Sequence, residues 1–143
     1  MTNEKKLWTV KLHQSNCDYD EVKLVRKMNI LPHMVVIEVD INKLLYFYEN
    51  SVGYKVSAVS EWPLDQKEKI TNYLNPKNSP RGMPFISFAK EEFTDSYKEP
   101  LKYMASFNCC RHRTIFMASQ GAKSIPIEVN ESEAELVRIH CGI

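Results

Sequence analysis

No apolar stretch in this sequence approaches the roughly 20 residues that span a bilayer, and the opening Met-Thr-Asn-Glu-Lys-Lys leads into no signal-type apolar core. These two absences predict a cytoplasmic chain with no membrane partner. An excess of charge is missing as well. Nineteen Lys and Arg stand against 18 Asp and Glu, a net charge of +1. No global field then draws the protein to nucleic acid or anionic lipid, and any anion site has to be local. No CxxC occurs among the four cysteines, Cys17, Cys109, Cys110 and Cys141, so a zinc site has no support. A disulfide between the neighbours Cys109 and Cys110 would be strained. Reduced, partly buried thiols are the expectation, with a redox or catalytic thiol as the alternative. Repeats, low-complexity tracts and long linkers are absent too. What is left is a chain of 143 residues, 43% apolar and 26% charged. It has an ordinary globular composition and room for one domain over residues 1–143.

The pattern along the chain alternates strands and helices, which predicts an α/β or α+β class. Leu7 to Leu12 alternates with Trp8, Val10 and Leu12 on one face and reads as a strand. Asp18 and Asp20 ahead of Val22, Leu24, Val25 and Met28 read as the cap of a short helix. Met34 to Val39 is β-branched and reads as a buried strand. Asp40 caps a helix carrying Ile41, Leu44, Leu45 and Tyr48. A turn is expected over Asn50 to Gly53, a strand or extended arm over Tyr54 to Val59, and a helix from Leu64 to Leu74 after Trp62-Pro63. Ile70, Tyr73 and Leu74 fall on one side of that helix. Asn75 to Gly82 reads as a surface loop, Phe85 to Phe88 as a short strand, Lys90 to Pro100 as an exposed connection and Leu101 to Phe107 as a strand. Arg111 to Gln120 reads as a helix closed by a left-handed Gly121. Ser124 to Val129 is a further strand. Asn130 and Glu133 form the pattern of a capping box ahead of a last helix with Ala134, Leu136, Val137 and His140.

One segment carries chemistry: Asn108-Cys109-Cys110-Arg111-His112-Arg113-Thr114, between a predicted strand and a predicted helix. Such a turn presents backbone N–H groups and the positive end of the helix dipole, a setting that binds phosphate. Arg111 and Arg113 would add charge-assisted hydrogen bonds, and Thr114 a hydroxyl in the first turn. His112 would touch a phosphate oxygen or act as a general acid or base, or serve only as a hydrogen-bonded structural histidine. Basic residues at a helix N-terminus oppose its dipole, which favours an anion site. An Arg pair facing water or bridging nearby carboxylates is the alternative. His13, His33 and His140 have no partner at metal-ligand spacing.

Cys110-Arg111-His112-Arg113-Thr114, the helix to Gln120, and Gly121-Ala122-Lys123-Ser124-Ile125-Pro126-Ile127-Glu128-Val129 together resemble the signature of the ParB/sulfiredoxin-fold superfamily. Within it the chain is most similar to the plasmid fertility-inhibition factors. Their Gly-Arg-His-Arg turn resembles Cys110-Arg111-His112-Arg113. Their Met-Pro strand resembles Met83 to Phe88, and their Val-x-Val-Asp segment resembles Ile37-Glu38-Val39-Asp40-Ile41. The resemblance implies a ParB/sulfiredoxin-like domain with a core over roughly residues 34–129 and a small mixed sheet flanked by helices. Met34 to Val39, Phe85 to Phe88, Leu101 to Phe107 and Ser124 to Val129 would be its strands.

The resemblance also implies activities: nucleotide binding and hydrolysis, DNA binding or cleavage, or reduction of oxidised cysteine. The last is not expected, because Arg111 occupies the position of that reaction's cysteine. A full partitioning protein is not expected either, for want of a following helix-turn-helix. By this likeness His112 and Arg113 would be catalytic residues. Cys110, Arg111, Arg113 and Thr114 would hold a nucleotide, ATP or CTP. An accompanying Mg2+ would need carboxylates, for which Glu91, Glu92, Asp95 and Glu99 are near in sequence, with a solvated loop as the alternative. The expected function is a mobile-element inhibitor with a phosphate or nucleotide site, acting on DNA-transfer machinery by nucleotide hydrolysis or nuclease action. The alternative is a non-enzymatic module that docks on a host or competitor protein, using aromatic anchors from Leu44 to Tyr48 and Phe85 to Phe93. Tyr46 is the residue there expected at the surface.

Overall fold

In a computed structural model of the chain, residues 6–26, 33–49, 57–78, 80–90 and 103–143 are described. Strand β1 (Trp8–Lys11) buries Val10, and Leu12 follows it into the core. The segment after Asp18 and Asp20 is not the expected helix but strand β2 (Glu21–Val25), antiparallel to β1 from Trp8↔Leu24 to Lys11↔Glu21. Period two wins there. Val22 and Leu24 point into the core, while Glu21 and Lys23 share the outer face and pair at 2.7 Å. Lys11, opposite Glu21, joins the same surface pair at 3.6 Å.

Strand β3 (Met34–Asp40) feeds helix α1 (Ile41–Glu49), and Asp40 caps it as expected. Its Oδ1 accepts the N–H groups of Asn42 and Lys43 at 2.9 and 3.0 Å. Ile41, Leu44 and Tyr48 are buried, and Tyr46 is 61% exposed, as the helical spacing requires. A 3-10 turn (Val59–Glu61) takes the end of the segment expected to be extended, and Trp62 Nε1 ties it down by donating to the Ser57 carbonyl at 2.8 Å. Helix α2 (Leu64–Tyr73) follows. The loop after it ends in a two-residue strand β4 (Arg81–Gly82), drawn into parallel pairing by the edge of β2. Strands β5 (Ile86–Lys90) and β6 (Tyr103–Phe107) pair antiparallel. The readings for 50–56 and 91–102, and Met28, lie outside the described residues.

Helix α3 (Arg111–Ser119) ends at Gly121, whose φ of 89° is the left-handed value expected. A Cβ there would stand 2.5 Å from the Gln14 backbone nitrogen, so glycine is required on two counts. That close approach lets Gln14 N–H reach the Gln120 carbonyl at 2.9 Å. Strand β7 (Ser124–Asn130) is buried from Ile125 through Val129 and pairs antiparallel with β3 along its whole length. Helix α4 (Glu131–Cys141) is capped by Asn130, which accepts from Ser132 N–H. The capping box is only half formed. Glu133 Oε1 turns away from its own helix end to accept the Phe88 N–H at 2.6 Å, and so fastens α4 to β5.

The strands do not make one sheet. Among the described residues they form a three-stranded sheet β1-β2-β4 and two ribbons, β3-β7 and β5-β6. Phe85 bridges Glu128 in parallel, which joins the ribbons at a single point. The mixed α+β class stands, with seven strands and four helices among the described residues. Beside this junction Glu128 is fully buried, and Arg26 Nε reaches its carboxylate at 3.3 Å. Arg26 also donates to the Met34 carbonyl at 2.8 Å, which holds the first sheet against β3 and β7. Among the described residues no helix is long and apolar enough to cross a membrane.

Candidate functional site

The segment from Asn108 to Thr114 lies where β6 hands over to α3, at the mouth of a cleft of about 540 Å³. Asn108 fixes the turn from two sides. Its N–H donates to the Phe85 carbonyl and its Nδ2 to Ser87 Oγ, both at 2.9 Å. Cys110 then takes a left-handed conformation, φ 71° and ψ 22°, at the N-cap of α3. It is the only non-glycine residue with positive φ among those described. The conformation costs a residue with a Cβ roughly 1–2 kcal/mol, and it falls where the chain turns from β6 into the first turn of α3. Replacing Cys110 with valine should lower stability by about 2 kcal/mol, since β-branching makes positive φ harder still. Glycine at the same position should be tolerated. Chemical denaturation of both variants checks this.

Arg111, His112 and Arg113 all line the cleft. Thr114 does not. It is fully buried, and both its N–H and its hydroxyl reach the Cys110 carbonyl at 3.0 Å. The hydroxyl expected to hold a ligand instead closes the first turn of its own helix. Cys109 and Cys110 both face the cleft, their sulfurs 2.7 Å apart, and none of the four cysteines is in a disulfide. Arg113 Nη1 donates to Cys110 Sγ at 3.4 Å. The His112 ring packs on Trp62, centroids 5.5 Å apart. Burial, then the positive charge of Arg111, holds the His112 pKa below its usual value, so the imidazole is neutral at pH 7.

The opposite wall comes from α2, which the motif gave no reason to place there. Gln66, Lys69, Ile70 and Tyr73 line it, and Phe107 of β6 closes the floor. Lys69 adds a cation, so Lys69, Arg111 and Arg113 share one cleft with His112, and no described carboxylate lines it. That donor set fits a phosphate and does not fit Mg2+, which takes oxygen ligands. Among the described residues no three His, Cys, Asp or Glu side chains converge to hold a metal ion. Glu91, Glu92, Asp95 and Glu99 lie outside the described residues. The aromatic segments divide between roles: Leu44, Tyr48 and Phe88 are core, while Tyr46 is well exposed, and Phe93 lies outside the described residues.

The model of the plasmid fertility inhibition factor family matches residues 36–142. The chain also superimposes on a crystal structure of Oncogenic Suppression Activity Protein, a plasmid fertility inhibition factor, in a gold(I) cyanide derivative. The TM-score is 0.65 and the identity 11%, over 97% of this chain and 70% of that one. No curated protein sequence matches the chain.

Proposed function

The chain belongs to the plasmid fertility inhibition factor family, and from that premise we propose that it is a mobile-element inhibitor whose cleft between α2 and α3 binds the phosphates of a nucleotide. The observation that carries this reading is the lining: three permanent cations and a helix N-terminus with no described carboxylate among them. Arg111, Arg113 and Lys69 would hold one or two phosphate groups, and His112, neutral in the empty cleft, would donate to a phosphate oxygen once the bound anion draws it to the imidazolium. The ParB/sulfiredoxin-like assignment belongs to the same proposal. It is supported by a left-handed residue at the glycine position of the turn, followed by the helix, Gly121 and the Ile125-Pro126 strand.

Titrating labelled ATP, labelled CTP and a labelled DNA single strand across salt concentrations tests the reading. A mononucleotide site predicts a shallow salt dependence, whereas a DNA track adds about 0.7 to the log–log slope for each phosphate of a single strand. Steep DNA binding that survives loss of both Arg111 and Arg113 would overturn the site. Hydrolysis of the bound nucleotide would support an enzyme. Binding without turnover would leave a nucleotide-dependent inhibitor, and no binding at all would leave a docking module.

The depressed pKa of His112 gives a further expectation. An anion in the cleft favours the imidazolium relative to the unliganded cleft, so the His112 contribution to affinity rises as pH falls from above the usual histidine value of 6.5 towards its lower folded-state value. Without ligand the sign reverses. The depressed pKa contributes stability above the usual histidine value of 6.5, and that stability is lost as pH falls through the lower, folded-state value. Comparing affinity against pH for the wild type and His112→Gln separates the imidazole from the phosphate's own titration. Identical profiles would remove His112 from the site.

A further inference from the structure

Tyr73, the last residue of α2, carries two guanidinium groups on one ring. Arg81 Cζ lies 3.9 Å from the ring centroid and Arg113 Cζ 4.3 Å. Arg81 comes from β4 and Arg113 from α3, so three elements meet at this ring. Arg81 is anchored independently, its Nε donating to the Tyr73 carbonyl at 2.9 Å. Among the described residues neither arginine forms an ion pair with a carboxylate. The face of an aromatic ring attracts a cation without neutralising it. A carboxylate in the same place would hold Arg113 more tightly, but it would also repel an incoming anion.

We infer that Tyr73 is a positioning residue of the phosphate site. Its ring holds the Arg113 guanidinium at the cleft wall with the positive charge still available. The inference rests on the reading of the cleft as a phosphate site. The ring removes rotamer freedom that Arg113 would otherwise lose on binding, which is the cost preorganisation avoids. Only an aromatic side chain does this. A leucine would keep an apolar side chain at this position and leave the guanidinium unheld.

The experiment is a ring series read with labelled ATP, and with the labelled single strand as second probe. Tyr73→Leu should weaken binding about tenfold, Tyr73→Phe should bind within about twofold of the wild type, and Tyr73→Trp should match or exceed it, following the order of cation–π strength. A merely structural role would follow side-chain volume instead, with tryptophan worse than leucine. Thermal midpoints of each variant are recorded alongside, and Tyr73→Met replaces Tyr73→Leu if the latter does not fold. Unaltered binding by the leucine or methionine variant, with binding lost in Arg113→Ala, would overturn the role of Tyr73 and leave the phosphate site in place. Unaltered binding in Arg113→Ala, or no binding of either probe by the wild type, would overturn the site itself and this inference with it.

Discussion

Replacing Ile125 with alanine is expected to cost about 2–5 kcal/mol of stability, a large loss for a single truncation. Ile125 is fully buried in β7, opposite Val39 of β3, on a strand that packs on both faces. Little around it can collapse into the space. The neighbouring strand is hydrogen-bonded along its length, and the adjoining residues Ile127 and Val129 are equally enclosed. The thermal midpoint should fall by roughly 5–15 °C, and nucleotide affinity measured well below that midpoint should stay within about twofold. A midpoint unchanged by Ile125→Ala would mean that β7 does not pass through the core.

The second large effect runs the other way. Arg113→Ala should lower affinity for a phosphate ligand by on the order of tenfold to a hundredfold, the range expected for a lost hydrogen bond to a charged group. The midpoint should move little. Arg113 is half-buried and touches the Tyr73 ring and the Cys110 sulfur, both of which line the cleft. Removing it also lowers the density of like charge around Lys69 and Arg111, which offsets part of the packing lost. Calorimetric titration together with a melting curve on the same sample separates the two effects. A protein that unfolds on this substitution while Ile125→Ala melts normally would make Arg113 a structural residue.

Half of the cleft is legible in the chain and half is not. The wall from Asn108 to Arg113 can be read because a strand, a short polar turn and a basic helix start follow one another within a few residues. The helix and the left-handed Gly121 are consequences of local sequence, whereas the left-handed Cys110 is not, since a cysteine gives no local reason for positive φ. The wall from α2 cannot be read. Lys69 looks like any solvated lysine, and Tyr73 like a member of the apolar side with Ile70 and Leu74. Leu74 does go to the core, while Ile70 and Tyr73 line the cleft. Only the packing of α2 against the turn distinguishes them. Arg81 is hidden for the same reason, since a two-residue strand has no periodicity. The misreading of Glu21 to Val25 has a different cause. Val22, Leu24 and Val25 satisfy a strand and a helix almost equally, and two aspartates ahead of them imitate a helix cap. Burial of Val22 and Leu24 alone against β1 decides it. Thr114 shows a limit of motif reasoning. A hydroxyl in the first turn suits a phosphate, but the left-handed Cys110 turns its own carbonyl towards that hydroxyl and takes it.

The pairing of β3 with β7 sets a timetable for the nascent chain. Roughly 80 residues separate the near ends of the two strands, Asp40 and Ser124. The β1–β2 hairpin can close as soon as it leaves the ribosome, because its partners are neighbours. Strand β3 has to wait. At about 5–20 residues per second its partner emerges roughly 4–16 s later. Throughout that interval Met34, Ile37 and Val39 have no core to enter, and the hydrogen-bonding edge of the strand is open. Each half-made chain therefore carries an unmatched apolar strand for several seconds, and faster synthesis raises the number of such chains present at once.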